Sequence, residues 1–303
     1  MLAQGAEPFD SDQHVFEIKW DGTRCMVYVQ QDRSLTLINR REFELLDRYP
    51  ELQVLSRLPP GTILDGEIIV LEGGRPNFRK LMQREQQRSR EKIAMLAPFT
   101  PATLVAFDAP FVGGQCWMKR PLIERTAELR RLVTELASPH VIAIEGVIGA
   151  GKAFFEKIEK EGMEGLIAKR LQSSYQPGVR SPDWLKLKVA TTDDFAVVGF
   201  TPGTVKGMLG ALIIGHRRGA GGGGTAWDYK GKVGSGFTDD ERVQLLTALE
   251  QMPELERRPR GAGLPTDAVW RSTGLWCRVR YFEKTHTGML RAPVFKGFVE
   301  PRR

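Results

Sequence analysis

The chemistry in this chain is concentrated in the stretch Glu17-Ile18-Lys19-Trp20-Asp21-Gly22-Thr23-Arg24. A lysine at the end of a strand, followed two residues later by Asp-Gly and then by Arg, joins an amine, a turn and a phosphate-binding cation. An amine that attacks a nucleotide α-phosphorus must be unprotonated, and a free lysine is neutral in only about one part in a thousand near pH 7. A three-unit shift costs roughly 4 kcal/mol, and cationic neighbours plus a metal ion supply such shifts. Cationic neighbours are present in Trp184-Leu185-Lys186-Leu187-Lys188, where Lys186 and Lys188 alternate on a strand and share one face. Taken alone, a lysine before Asp-Gly is an ordinary surface residue at a hairpin turn.

The elements around these residues follow from pattern. CMVYVQ and LTLIN, joined by QDRS, read as a hairpin. TILDGEIIV and TLVAFDAP read as strands, and DRYPELQVLSRL and NFRKLMQREQQRSREK as helices, the second with a heavily basic face. Lys119 to Leu136 reads as a helix, with Pro121 in its first turn and Leu122, Leu129, Leu132, Val133 and Leu136 on one stripe. HVIAI, GLIAKR and WLKLKV continue as strands, with a helix near AFFEKIEKEG. After Thr191 the texture changes to short β-rich runs and glycine-dense turns, with GAGGGG at 219 to 224 read as a hairpin loop and one helix near Thr238 to Leu249. The expectation is a mixed α/β domain over 1–190 and a small barrel-like β domain over 191–303.

With these elements in place, KWDGTR resembles motif I of the covalent nucleotidyltransferases, the family of ATP-dependent DNA ligases, RNA ligases and capping enzymes. The other motifs follow in order: Leu64-Asp65-Gly66-Glu67 resembles motif III, Val105-Ala106-Phe107-Asp108 the IIIa segment, Glu164-Gly165-Leu166-Ile167-Ala168-Lys169-Arg170 motif IV, and WLKLK motif V. The wording is nearest to the ligase module of bacterial end-joining DNA ligases, and YKGKVGSGFTDDE and GMLRAPVFKGF extend the likeness into the C-terminal half.

The resemblance implies an α+β adenylation domain of ATP-grasp-like build with antiparallel sheets, followed by an OB-fold β-barrel. It implies that Lys19 takes AMP from ATP, that Glu17 contacts the adenine amino group, and that Arg24 contacts the ribose or phosphate region. Arg40 matches the arginine after motif I, although Asn39 stands where the family usually has Ser or Thr. Glu67 is assigned to a ribose hydroxyl or a metal water, and Glu164 to Mg²⁺ or Mn²⁺ near the phosphates. Phe107, beside Asp108 at a strand end, is assigned to stacking on adenine. Arg180, Lys186 and Lys188 are assigned to phosphate. In the C-terminal half, Arg278, Arg280, Lys284 and Arg291 are expected to face duplex DNA, with a hinge near Ala190 to Asp193.

Other features are set against this. Gly146-Val147-Ile148-Gly149-Ala150-Gly151-Lys152 has P-loop spacing, but Ala153 lacks the hydroxyl that a Mg²⁺ site needs, so the run reads as a glycine-rich loop capping a helix. The basic run Arg79 to Lys92 is either a solvated helix face or a phosphate-contacting one. Cys25, Cys116 and Cys277 lie far apart, as do His14, His140, His216 and His286, and neither set has metal-ligand spacing. The last family motif departs from pattern, since Val299-Glu300-Pro301-Arg302-Arg303 lacks its first arginine and its aspartate.

The net charge of +7 suits a polyanionic partner. No run of eighteen apolar residues and no leader-like N-terminus occurs, so a cytoplasmic location is expected. The expected partners are nicked duplex DNA and a Ku-like end-binding protein, with the chain a monomer. Two other readings stand beside nick sealing: RNA ligation or capping-type guanylyl transfer, and a non-catalytic scaffold that binds strand breaks.

Overall fold

The structure is a computed structural model describing residues 1–218, 226–285 and 287–300. The glycine run at 219 to 224, His286 and the final residues 301–303 lie outside the described residues. The chain divides into two compact units, Met1–Val189 and Ala190–Arg303.

The first unit holds two sheets. One runs in the order Leu2–Gly5, Arg180–Lys188, Gly165–Arg170, Ser11–Ile18, Gly146–Gly149. The other runs Leu35–Asn39, Thr23–Val29, Thr62–Glu72, Ala102–Val112, Gln115–Cys116, with Arg75–Pro76 and Val141–Ala143 paired off that path. Pairing is antiparallel except at Leu2–Gly5 against Arg180–Lys188 and Val141–Ala143 against Ala102–Val112. The expected hairpin forms with Cys25 opposite Asn39 and Val29 opposite Leu35.

Alternation places Cys25, Val27, Val29, Leu35 and Leu37 in one core with Leu64, Ile68, Leu104 and Ala106. The helix α3, Leu122–Leu136, covers this core with Leu129, Leu132, Val133 and Leu136. A smaller core under the other sheet joins Phe16, Leu166, Ala168 and Leu187 to Ile158 of α4, Gly151–Lys160.

Three local expectations are corrected. DRYPELQVLSRL forms two 3₁₀ segments, Leu46–Arg48 and Pro50–Arg57, because Pro50 breaks the run and starts the second. The basic stretch forms two short helices, α1 (Phe78–Glu85) and α2 (Arg90–Leu96), and Ser89 caps the second by accepting from Lys92 N at 3.4 Å. Phe107 and Asp108 lie in the interior of the strand Ala102–Val112, away from its ends.

The second unit holds a main antiparallel sheet, ordered Trp227–Val233, Leu209–Arg217, Thr191–Pro202, Trp276–Tyr281, Val294–Val299, with Val269–Trp270 pairing Thr191–Pro202, and a separate two-stranded pair, Glu283–Lys284 with Leu290–Arg291. Phe295 N donates to Ser235 O at 2.9 Å, bringing the two edges together at one end. Five strands curled in this way around Phe195, Phe200, Leu212, Val233, Val279 and Phe295 make an OB-like barrel. The helix α5, Asp239–Glu250, starts at Thr238 in a capping box with Glu241. The expected hinge span, Ala190 to Asp193, lies mostly within the strand that begins at Thr191, so only Val189 and Ala190 separate that strand from Arg180–Lys188.

Candidate active site

Lys19 follows the strand Ser11–Ile18 directly, and its backbone N donates to Gly165 O at 2.9 Å. That bond ties the amine to the first residues of Gly165–Arg170. The side chain turns to Glu164, with Lys19 Nζ 2.6 Å from Glu164 Oε2, while Lys188 Nζ lies 3.3 Å from Glu164 Oε1. One carboxylate therefore bridges the candidate nucleophile and the lysine-bearing strand.

Beside this bridge opens a cavity of about 260 Å³ lined by Glu17, Lys19, Arg24, Arg40, Glu67, Phe107, Arg180 and Lys186, together with Trp20, Ile144, Lys169 and Trp184. Among the expected nucleotide-site residues, Lys188 does not line it and reaches the site through Glu164. Lys186 lies in register with Ile167, two residues from Lys188 on the same face. Arg180 Nη1 donates to Ala3 O at 2.5 Å.

Several of these groups are already engaged. Arg24 forks onto Asp65, Nε to Oδ1 at 2.9 Å and Nη2 to Oδ2 at 2.5 Å, and Asp65 also accepts from Tyr175 Oη at 2.8 Å. Asp65 is fully buried within the strand Thr62–Glu72. Glu17 is buried and faces Lys169, whose Nζ lies 2.6 Å from Oε2. Burial pushes the Glu17 carboxyl up against the pull of Lys169. Lys169 Nζ also sits 4.4 Å above the Phe107 ring and 4.4 Å from that of Trp184, so the expected base-stacking ring is in contact with a cation.

Glu67 and Asp21 complete the electrostatics. Burial raises the Glu67 carboxyl to about 8, opposed by Lys19 and Arg24 and assisted by Asp65 and Glu164. Asp21 is raised by burial and then by Glu164. Lys169, Asp65 and Asp21 were absent from the sequence-based set of site residues. Their only signal was membership of the motifs: Lys169 closes EGLIAK, Asp65 opens DGE and Asp21 follows Lys19.

The P-loop-like run is closed to phosphate. Asp10 Oδ1 accepts from Lys152 N at 2.8 Å, placing the chain's own carboxylate at the N-terminus of α4. A Cβ on Gly151 would lie 2.2 Å from Phe9 O, so this glycine serves close packing.

In the second unit, Arg278 and Arg280 project from the face opposite buried Cys277, Val279 and Tyr281. Arg278 Nε donates to Asp194 Oδ1 at 2.8 Å, and Lys284 Nζ lies 3.1 Å from Asp193 Oδ2. Two of the cations expected to meet DNA thus already face aspartates. Arg291 lies on the short strand Leu290–Arg291 paired with Glu283–Lys284.

A two-sheet unit with a lysine at the head of its cavity, followed by a curled OB-like unit, defines the class of covalent nucleotidyltransferases. The sequence model described as "ATP dependent DNA ligase domain" matches residues 1–188, and "ATP dependent DNA ligase C terminal region" matches 205–300. The chain belongs to the ATP-dependent DNA ligases.

Among its relatives is the "SPbeta prophage-derived DNA ligase-like protein LigB" of Bacillus subtilis, 29% identical over 294 residues, covering 96% of this chain and 95% of that protein. The "Multifunctional non-homologous end joining protein LigD" of Pseudomonas aeruginosa is 31% identical over 316 residues, covering 99% of this chain and 35% of that protein. The chain therefore spans about a third of that relative's length. The crystal structure of the ligase domain from Mycobacterium tuberculosis LigD superposes with a TM-score of 0.57 at 27% identity, covering 99% of this chain and 94% of that one. These likenesses do not favour the RNA-ligase, capping or scaffold readings. Among the described residues, no helix is long and apolar enough to cross a membrane.

Proposed function

We propose that this DNA ligase seals nicks through a covalent adenylate on Lys19. Lys19 Nζ forms a nitrogen–phosphorus bond to the α-phosphorus of ATP as the bond to pyrophosphate breaks. The 5′-phosphate of the nick then takes the AMP from Lys19, and the 3′-hydroxyl displaces AMP to form the phosphodiester. The observation that carries this reading is the placement of Lys19 Nζ, 2.6 Å from Glu164 and beside the cavity lined by Glu17 and Phe107.

The residues fit a divalent cation shared with nucleotide. Among the described residues no cluster of three or more metal-ligating side chains exists. Mg²⁺ is commonly held by one or two carboxylates with phosphate and water oxygens completing its shell, which Glu67 and Glu164 suit. When bound, Mg²⁺ or Mn²⁺ offsets phosphate charge. Glu164, which pairs with Lys19 and Lys188, would hold such a cation together with Glu67. Arg24, Arg40, Arg180, Lys186 and Lys188 supply positive charge around the phosphates, and Glu17 reads the adenine amino group. Catalysis of this kind is positioning and charge neutralisation at phosphorus.

Arg278, Arg280, Lys284 and Arg291 are the proposed contacts to duplex backbone. The likeness to proteins named for non-homologous end joining supports a role in end joining; a Ku-like partner, a monomeric state and a bacterial cytoplasmic location belong to the same proposal. Incubation with α-labelled ATP and Mg²⁺ followed by denaturing electrophoresis tests the core of this reading. The wild-type chain is expected to retain label and Lys19→Ala to retain none; label on Lys19→Ala would refute the nucleophile.

A further inference from the structure

The basic stretch over α1 and α2 has no part in the reaction as derived, yet its one inward-facing carboxylate reaches the site from behind. Arg84 anchors α1, with Nη1 2.9 Å and Nη2 3.1 Å from the Glu51 carboxylate, further bonds to the Arg48 and Thr100 carbonyls, and its guanidinium over the Tyr49 ring at 5.3 Å. Next to it, Glu85 Oε2 accepts from Thr23 Oγ1 at 2.7 Å and from Tyr49 Oη at 3.3 Å, while Oε1 lies 3.5 Å from Asn39 Nδ2.

Two of these partners, Thr23 and Asn39, border the reaction. Thr23 ends the Asp-Gly turn that begins two residues after Lys19. Asn39 sits before Arg40 and organises the turn carrying it, its Oδ1 accepting from Arg41 N at 2.9 Å and Phe43 N at 3.1 Å. The Asn39 amide serves that turn and Glu85 from separate atoms, its Oδ1 accepting from the turn and its Nδ2 facing Glu85.

We propose that Glu85 is a positioning residue for adenylyl transfer, holding the turn after Lys19 and the loop of Arg40 in fixed relation from the anchored end of α1. The proposal rests on Lys19 as the nucleophile. It requires Glu85 to act on the rate of transfer at saturating ATP and not on nucleotide affinity, because Glu85 does not line the cavity.

The test is single-turnover adenylylation of the full chain with labelled ATP, comparing Glu85→Ala, Glu85→Gln, Thr23→Val and Lys19→Ala, with thermal melting of each. Glu85→Ala is expected to slow lysyl-AMP formation about 10- to 100-fold, the range of a misplacement on the order of 1 Å, with the ATP concentration for half-maximal rate within about threefold of wild type. Glu85→Gln keeps an acceptor and is expected to recover most of the rate, while Thr23→Val slows in the same direction. In a protein carrying both Glu85→Ala and Thr23→Val, the second change is expected to add nothing, because the two act as one unit. A wild-type rate in Thr23→Val, or a loss in Glu85→Ala seen only as weaker ATP binding, overturns the proposal. Should Glu85→Ala fail to fold, Glu85→Gln and Thr23→Val decide. Label on Lys19→Ala would instead defeat the nucleophile assignment and is read separately.

Discussion

Glu67 is held within electrostatic reach of Lys19 and Arg24, and burial outweighs both in raising its carboxyl to about 8. Below that value the side chain carries a proton, and a cation can take the carboxylate only as that proton leaves. The Mg²⁺ concentration giving half-maximal adenylylation is therefore expected to fall as pH rises from about 7 to 8.5, by up to roughly tenfold per unit below the midpoint. Glu67→Gln is expected to need more metal and to lose that slope; a titration series with the same slope in both proteins would remove Glu67 from the role. At this scale the motifs named residues well by type and poorly by partner. Arg24 reads as a phosphate ligand, but its fork is filled by Asp65, which lies 41 positions away. Lys169 reads as a charge closing a strand, yet it is only 2% exposed beside Glu17. Such pairings depend on which strands become neighbours, and a local pattern does not encode that.

Strands set the reacting groups through backbone contact as much as through side chains. Gly22 carries no positive φ, but a Cβ there would lie 2.3 Å from Ile68 O and 2.9 Å from Glu67 Cγ. Gly66 is equally confined, with Val105 O and Leu104 Cδ1 each at 2.8 Å. The two Asp-Gly pairs are therefore places where backbones touch, and any side chain at Gly22 must push Glu67 and its strand away from Lys19. Gly22→Ala is expected to cut lysyl-AMP formation by about 100-fold or more; a near-normal rate in a folded Gly22→Ala protein would show that the strand can yield there. Periodicity made the hairpin and α3 legible, because Leu122, Leu129, Leu132, Val133 and Leu136 fall on one stripe and all are buried. It failed where short-range chemistry competes, as at Pro50, which starts a 3₁₀ segment, and at Ser89, which caps a new helix inside an apparent single one.

Across the whole molecule, each cluster of buried apolar residues falls within one unit, so the proposed charging site and the proposed DNA contacts are built on different cores. The change from long apolar strands to glycine-dense runs near Thr191 is the trace of this in the sequence, and the β-rich alternation beyond it anticipates a curled sheet. Charge balance was not legible, because Arg278 and Lys284 read as free cations until Asp194 and Asp193 appear beside them across adjacent strands. Removing an aspartate should restore attraction for phosphate. Asp194→Asn is expected to tighten nick binding at low salt and to steepen its logarithmic salt dependence by up to about 0.9, the increment for one phosphate contact. An unchanged slope in a binding titration would place Arg278 away from the DNA backbone. The carboxylate shared by Lys19 and Lys188 bears, finally, on how the protein lives among small reactive solutes. A side chain clasped in this way has its reactive end covered by a carboxylate, so cyanate, aldehydes and activated acids meet a sheathed group, and the proposed nucleophile is kept intact until a triphosphate arrives.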